Sequence, residues 1–126
     1  MSGPLDPGES AVDASILSRL VADVGDVDEM IALYLRALPL RHGSLAQALA
    51  DRDRAVIVMV AHTLGSASAF VGARRLADIC RGLEGTARAG VDPPLEAALE
   101  VARECRRVER ELRQRFRLVR SDEPIG

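Results

Sequence analysis

Apolar residues recur along this chain at three- and four-residue spacing in five stretches, and Gly, Asp and Pro punctuate the joins between them. That spacing is helical, since about 3.6 residues complete one turn and keep such positions on one face. Over residues 12–24, Ile16, Leu17, Leu20, Val21 and Val24 share a face, with Asp13 placed to cap the helix and Gly25 to end it. Asp26 caps a longer pattern with Asp28 and Glu29 in its first turn, where the helix dipole favours negative charge. Pro39 falls inside this pattern and costs about 3 kcal/mol in a regular helix interior. A kink or a break into two segments is expected there, with helix resuming through Leu45 and Leu49 to about residue 50.

Asp53 opens the third pattern, which runs to about Phe70, and Gly72 marks a tight turn. Residues 73–89 then set Leu76, Ile79, Cys80 and Leu83 on one face before Gly90 stops them. Asp92-Pro93-Pro94 reads as an N-cap followed by proline in the first turn. The last pattern runs from there through Leu95, Leu99, Val101, Ala102, Cys105, Val108, Leu112 and Phe116, fraying by about residue 119. Short joins between four long helices predict an all-α fold, an antiparallel four-helix bundle with a short additional N-terminal helix as lid or flank. The domain is expected over residues 12–118, between a flexible N-terminal segment, 1–11, and a flexible tail, 119–126.

Composition agrees. The 126 residues are 48% hydrophobic but only 2% aromatic, so the core must be aliphatic and alanine-rich, which favours helix over sheet. A chain of this length supports one hydrophobic core. No apolar run approaches the roughly 18 residues of a membrane span, and no charged-then-apolar leader opens the chain, so a cytoplasmic protein without direct membrane contact is expected. Cys80 and Cys105 lie inside helical patterns without CxxC spacing and read as reduced structural thiols.

A net charge of −2 argues against a nucleic-acid partner. Arginines crowd the last helix, but the interleaved Glu100, Glu104, Glu109 and Glu111 suit a solvated ion-pair face better than a nucleic-acid patch. His42, after Pro39, reads as a surface residue, and two histidines without matching carboxylates or thiolates make no metal site.

The third helix is different. Projected at about 100° per residue, Ile57, Val60, Ala61, Leu64, Ser68 and Val71 form its core face. His62 lies away from that face, in a sector with Ala55, Val58, Gly65, Ser66 and Ala69, and Met59 at its edge. This sector carries no Asp, Glu, Lys or Arg, and a bare sector needs something to cover it. Either the helix is central and His62 is a hydrogen-bonded interior residue, or the sector is a docking surface where small residues let a partner approach the imidazole.

His62, Leu64, Gly72, Ala73, Leu76, Cys80, Leu83 and Glu84 together resemble the signature of histidine phosphotransfer (HPt) domains of bacterial two-component phosphorelays. The resemblance extends over the flanking helices, from about Val12 to Phe116. It implies that His62 is the phospho-accepting residue and that Ala55, Val58, Met59, Gly65, Ser66 and Ala69 dock response-regulator receiver domains, such as that of a hybrid sensor histidine kinase. The family commonly has Lys and Gly three and four positions after the histidine, where this chain has Gly65 and Ser66. That lysine helps to hold the phosphoryl group. Its place is taken by a charge from the partner, or by Arg74 or Arg75 reaching across from the next helix, or transfer is weak and the chain is a receiver-binding helical scaffold.

The implied chemistry is small. A free imidazole, with a pKa of about 6.5, is largely a neutral nucleophile near neutral pH. It would take a phosphoryl group from a receiver aspartate and pass it to another. The Mg²⁺ that assists phosphoryl transfer would sit on the receiver, leaving this chain without a cofactor of its own. No Gly-rich phosphate loop is present in the sequence, so kinase activity from ATP is not expected. A monomer is expected, because a second copy on the His62 face would block the receiver.

Overall fold

A computed structural model describes residues 10–116, and within them five helices and no strand are found: α1 (Ala14–Val24), α2 (Asp28–Asp51), α3 (Arg54–Phe70), α4 (Arg74–Arg88) and α5 (Ala97–Phe116). Helices α2 to α5 form the bundle. α3 packs on α2 and most extensively on α4, while α5 lies against both α2 and α4 and closes the ring. The connections between α2 and α3 and between α3 and α4 are two or three residues long, which makes those neighbours antiparallel.

The core is aliphatic, as the composition requires. Ile31, Leu45, Ile57, Leu64, Leu76 and Leu112 are its largest fully buried side chains. The one tyrosine, Tyr34 on α2, is also buried, and its hydroxyl lies 2.8 Å from that of Ser68 on α3. Burial raises the Tyr34 pKa above its ordinary value, so the hydroxyl remains a neutral partner for Ser68. Both thiols are free and buried, and burial pushes Cys80 and Cys105 up to about 12, which leaves them unreactive.

The caps at Asp13 and Asp53 form as the sequence predicts, accepting the amides of Ser15 and Val56 at 2.9 and 3.2 Å. Asp26 accepts the amide of Asp28 at 3.0 Å, although Val27 occupies the cap position of α2. Gly72 adopts a left-handed φ of 88°, and its carbonyl accepts the Asp13 amide at 2.8 Å, which ties the start of α1 to the turn between α3 and α4.

Four expectations need correction. Of the kink or break expected at Pro39, the break is not found: α2 is one continuous helix past Pro39, which is exposed, while Leu35, Leu38 and Leu45 are buried on either side of it. α5 begins at Ala97 rather than after Asp92. The Asp92 carboxylate is taken by Arg54 at 2.9 Å, and Ala97, Ala98 and Leu99 donate to carbonyls three residues back, in a tight turn that leaves Leu95 and Leu99 exposed. Glu104 is not on a solvated face but 3% exposed, paired with Arg107 at 2.9 Å and Arg75 at 3.5 Å.

The ordered domain also starts before residue 12. Ala11 and Val12 are buried, and the Glu111 carboxylate accepts from the Ser10 hydroxyl and from the amides of Ala11 and Val12. Burial alone would raise the Glu111 pKa, but those hydrogen bonds outweigh it and hold the carboxyl below its usual range. Residues 1–9 of the expected N-terminal segment and the tail at 119–126 lie outside the described residues.

Candidate functional site

His62 projects from the middle of α3 with 62% of its side chain exposed, so the interior alternative is excluded. What holds it is Glu84 on α4, whose two carboxylate oxygens lie 3.1 and 3.2 Å from Nδ1. Arg88, one turn further along α4, holds Glu84 in turn, with Nη2 at 2.6 Å and Nε at 3.0 Å from the same oxygen. The hydrogen bond from Arg88, followed by that from His62, keeps the Glu84 carboxyl below its ordinary range. An ionised carboxylate only accepts, so Nδ1 carries the hydrogen. The neutral ring then presents its lone pair at Nε2, the nitrogen that Glu84 does not engage.

The residues assigned to a docking surface divide. Ala55, Met59 and Ser66 are exposed and Ala69 is half-buried. Gly65 is buried, and Val58, two turns before it on the same line of the helix, is half-buried and packed on the core. The cause is α4, which approaches so closely that a Cβ at Gly65 would stand 3.1 Å from the Cβ of Cys80. Thr63 and Phe70 fill the gap, and the exposed stripe through His62 runs Met59, Thr63, Ser66, Phe70. Ser66 and Phe70 also line an open depression of about 580 Å³ between α3 and α4, together with His62, Gly65, Arg81 and Glu84.

Arg74 and Arg75 lie elsewhere. Arg74 pairs with Asp13 at 3.4 Å and Arg75 with the buried Glu104 at 3.5 Å. Along α4 at about 1.5 Å per residue, Arg74 is about 15 Å from Glu84, about twice the reach of an arginine. His42, expected at the surface, is half-buried on α2. Glu84, which contacts His62, Arg88, which holds Glu84, and Arg81, which lines the depression, were given no role by sequence reasoning. The signal for Glu84 was present, since it belongs to the family motif.

Comparison with known proteins gives this geometry its context. The model of the Hpt domain family matches residues 29–121, which span four of the five helices and include His62 and Glu84. The chain belongs to the Hpt domain family. Among solved structures, the Hpt domain is similar to histidine-containing phosphotransfer protein B (HptB) from Pseudomonas aeruginosa PAO1, with 25% sequence identity and a TM-score of 0.79 over 85% of this chain and 95% of that one. No curated protein matches the sequence significantly. Hpt domains carry out histidine phosphotransfer in phosphorelays and interact there with response-regulator receivers. Among the described residues of this Hpt domain, no helix is long and apolar enough to cross a membrane.

Proposed function

We propose that His62 is the phosphorylated residue and that its Nε2 receives the phosphoryl group from a receiver aspartate and passes it to another. The reading rests on the contact of Nδ1 with Glu84 at 3.1 Å, which sets the tautomer and leaves Nε2 as the nucleophile on an exposed stripe. The Nε2 lone pair attacks phosphorus, the bond from phosphorus to the aspartate oxygen breaks as the bond to nitrogen forms, and the electron pair leaves with the carboxylate. No proton has to move. The ring acquires a positive charge with its Nδ1 hydrogen in place, and Glu84 faces that charge.

Docking falls on Ala55, Met59, Ser66 and Ala69 around the imidazole, with Thr63 and Phe70 added. Gly65 and Val58 act beneath this surface by letting α4 come close. The receiver brings the Mg²⁺ and most of the electrostatic stabilisation of the transition state, so this chain needs no cofactor and no ATP site. It acts as a cytoplasmic monomer, with the receiver of a hybrid sensor histidine kinase among its partners.

The test is transfer from phosphorylated receiver domains to the wild-type chain and to His62→Gln. Wild type is expected to gain a label that is labile in acid and stable in alkali, and His62→Gln to gain none. Equal labelling of the two would refute the assignment. Receiver binding by the wild type without label would instead favour the scaffold reading.

A further inference from the structure

We infer that Arg81 is the phosphoryl-contacting cation of this site, carried on α4 in place of the lysine that Gly65 removes from α3. The inference rests on His62 being the phosphorylated residue. Transfer places a phosphoryl group, a dianion at neutral pH, on an imidazole whose other nitrogen already faces the carboxylate of Glu84. A second negative group beside Glu84 calls for a nearby positive one, and α3 supplies none, since its only arginine is Arg54 at its first position.

Position 65 is a tight place from which to raise a side chain. A Cβ there would stand 3.1 Å from the Cys80 Cβ, closer than ordinary van der Waals contact, so a lysine at this position would require α4 to give way by a few tenths of an ångström. The same absence opens the depression that His62, Gly65, Ser66 and Glu84 line, and the arginine lining it is Arg81. Arg81 precedes Glu84 by three residues on α4, so the two stand on neighbouring turns of one face, about 4.5 Å apart along the axis.

The other arginines of α4 are held elsewhere. Arg88 grips Glu84 through two nitrogens, Arg74 is engaged by Asp13, and Arg75 by the buried Glu104. Arg81 contacts Asp78 at 2.9 Å, in a pair whose side chains are 69% and 68% exposed. Such an exposed pair between residues three apart contributes little and is easily exchanged. A phosphoryl dianion in the depression outcompetes the single carboxylate of Asp78 for the guanidinium, which matches phosphate oxygens with two parallel hydrogen bonds.

A small-molecule donor tests this without a receiver. With phosphoramidate, the phosphorus–nitrogen bond of the donor breaks, ammonia leaves, and the phosphoryl group goes to Nε2. Rates of phosphohistidine formation would be measured for wild type, His62→Gln, Arg81→Gln, Arg81→Lys and Asp78→Asn, and the phosphoryl group titrated by phosphorus-31 NMR. Arg81→Gln is expected to form phosphohistidine about five-fold more slowly, the effect of losing an exposed charge contact, with unchanged helicity. Its phosphoryl group should titrate at higher pH, because a neighbouring cation favours the dianion. Arg81→Lys should recover part of both effects, and Asp78→Asn should keep the wild-type values because the cation remains. An unchanged rate and titration in Arg81→Gln would overturn the assignment, as would an equal loss in Asp78→Asn. A wild type that labels no better than His62→Gln would instead overturn the reading of His62, and with it this one.

Discussion

The hydroxyls of Tyr34 on α2 and Ser68 on α3 meet at 2.8 Å in the core, and each satisfies the other there. Tyr34 is 6% exposed and Ser68 fully buried, so neither hydroxyl exchanges its partner for water. Ser68→Ala leaves the Tyr34 hydroxyl inside the core without a partner, at a cost of about 2 kcal/mol. Tyr34→Phe is milder, about 1 kcal/mol, because the freed serine hydroxyl can donate to the carbonyl one turn earlier on its own helix. The double variant strands no polar group and should also cost only about 1 kcal/mol, giving a coupling of about 2 kcal/mol between the two positions. Urea unfolding of the four proteins, followed by circular dichroism, measures the cycle. Additive costs, with the double variant as unstable as the sum of the single ones, would refute the claim that the two hydroxyls satisfy each other.

Further outcomes follow from the same contacts. Gly72→Ala should lose about 3 kcal/mol in thermal or urea unfolding, because φ is 88° there and the new Cβ would meet the Asp13 carbonyl oxygen at 3.0 Å. Glu111→Gln should cost about 2 kcal/mol at neutral pH, since it weakens three charge-assisted hydrogen bonds to residues 10–12. The folded Glu111 carboxyl titrates below its unfolded value, so its contribution is complete above the ordinary carboxylate range and is lost as pH falls through the lowered one. The stability difference between wild type and Glu111→Gln should therefore shrink in acid. Glu84→Gln should slow phosphohistidine formation at neutral pH with the fold intact.

Most of the fold was legible because each helix carries its own boundaries. Asp13 and Asp53 cap, Gly72 and Gly90 stop with positive φ, and the apolar period between them runs as drawn. What failed depended on partners distant in the chain. Asp92 had every local mark of an N-cap, yet Arg54, 38 residues earlier, holds its carboxylate and the helix starts later. Glu104 and Glu111 looked like two more charges on a solvated helix. One is buried between Arg75 and Arg107, and the other captures the backbone of residues 10–12 across the domain. A single-helix pattern shows that a carboxylate is present but not which donor will find it.

The same limit explains the site. His62 was singled out because its sector could be read from α3, and the resemblance of the surrounding motif, which runs on into α4, then implied its role. Glu84, Arg88 and Arg81 were not assigned roles because the contact of Glu84 with His62, and with it the places of Arg88 and Arg81 near the imidazole, depends on the register of α4 against α3, which no periodicity within either helix determines. Gly65 is the instructive case, buried yet lining the depression beside His62. On a helical projection a glycine beside the histidine looks like an opening for a partner, since it adds no bulk. In the bundle the missing side chain also serves the neighbour, and α4 approaches until a Cβ at this position would stand only 3.1 Å from that of Cys80. A small residue therefore marks close approach by something, and which side that is depends on the helix already packed there. With α4 in place the exposed stripe turns toward Met59, Thr63, Ser66 and Phe70, and the arginine that lines the depression beside it, Arg81, stands on α4.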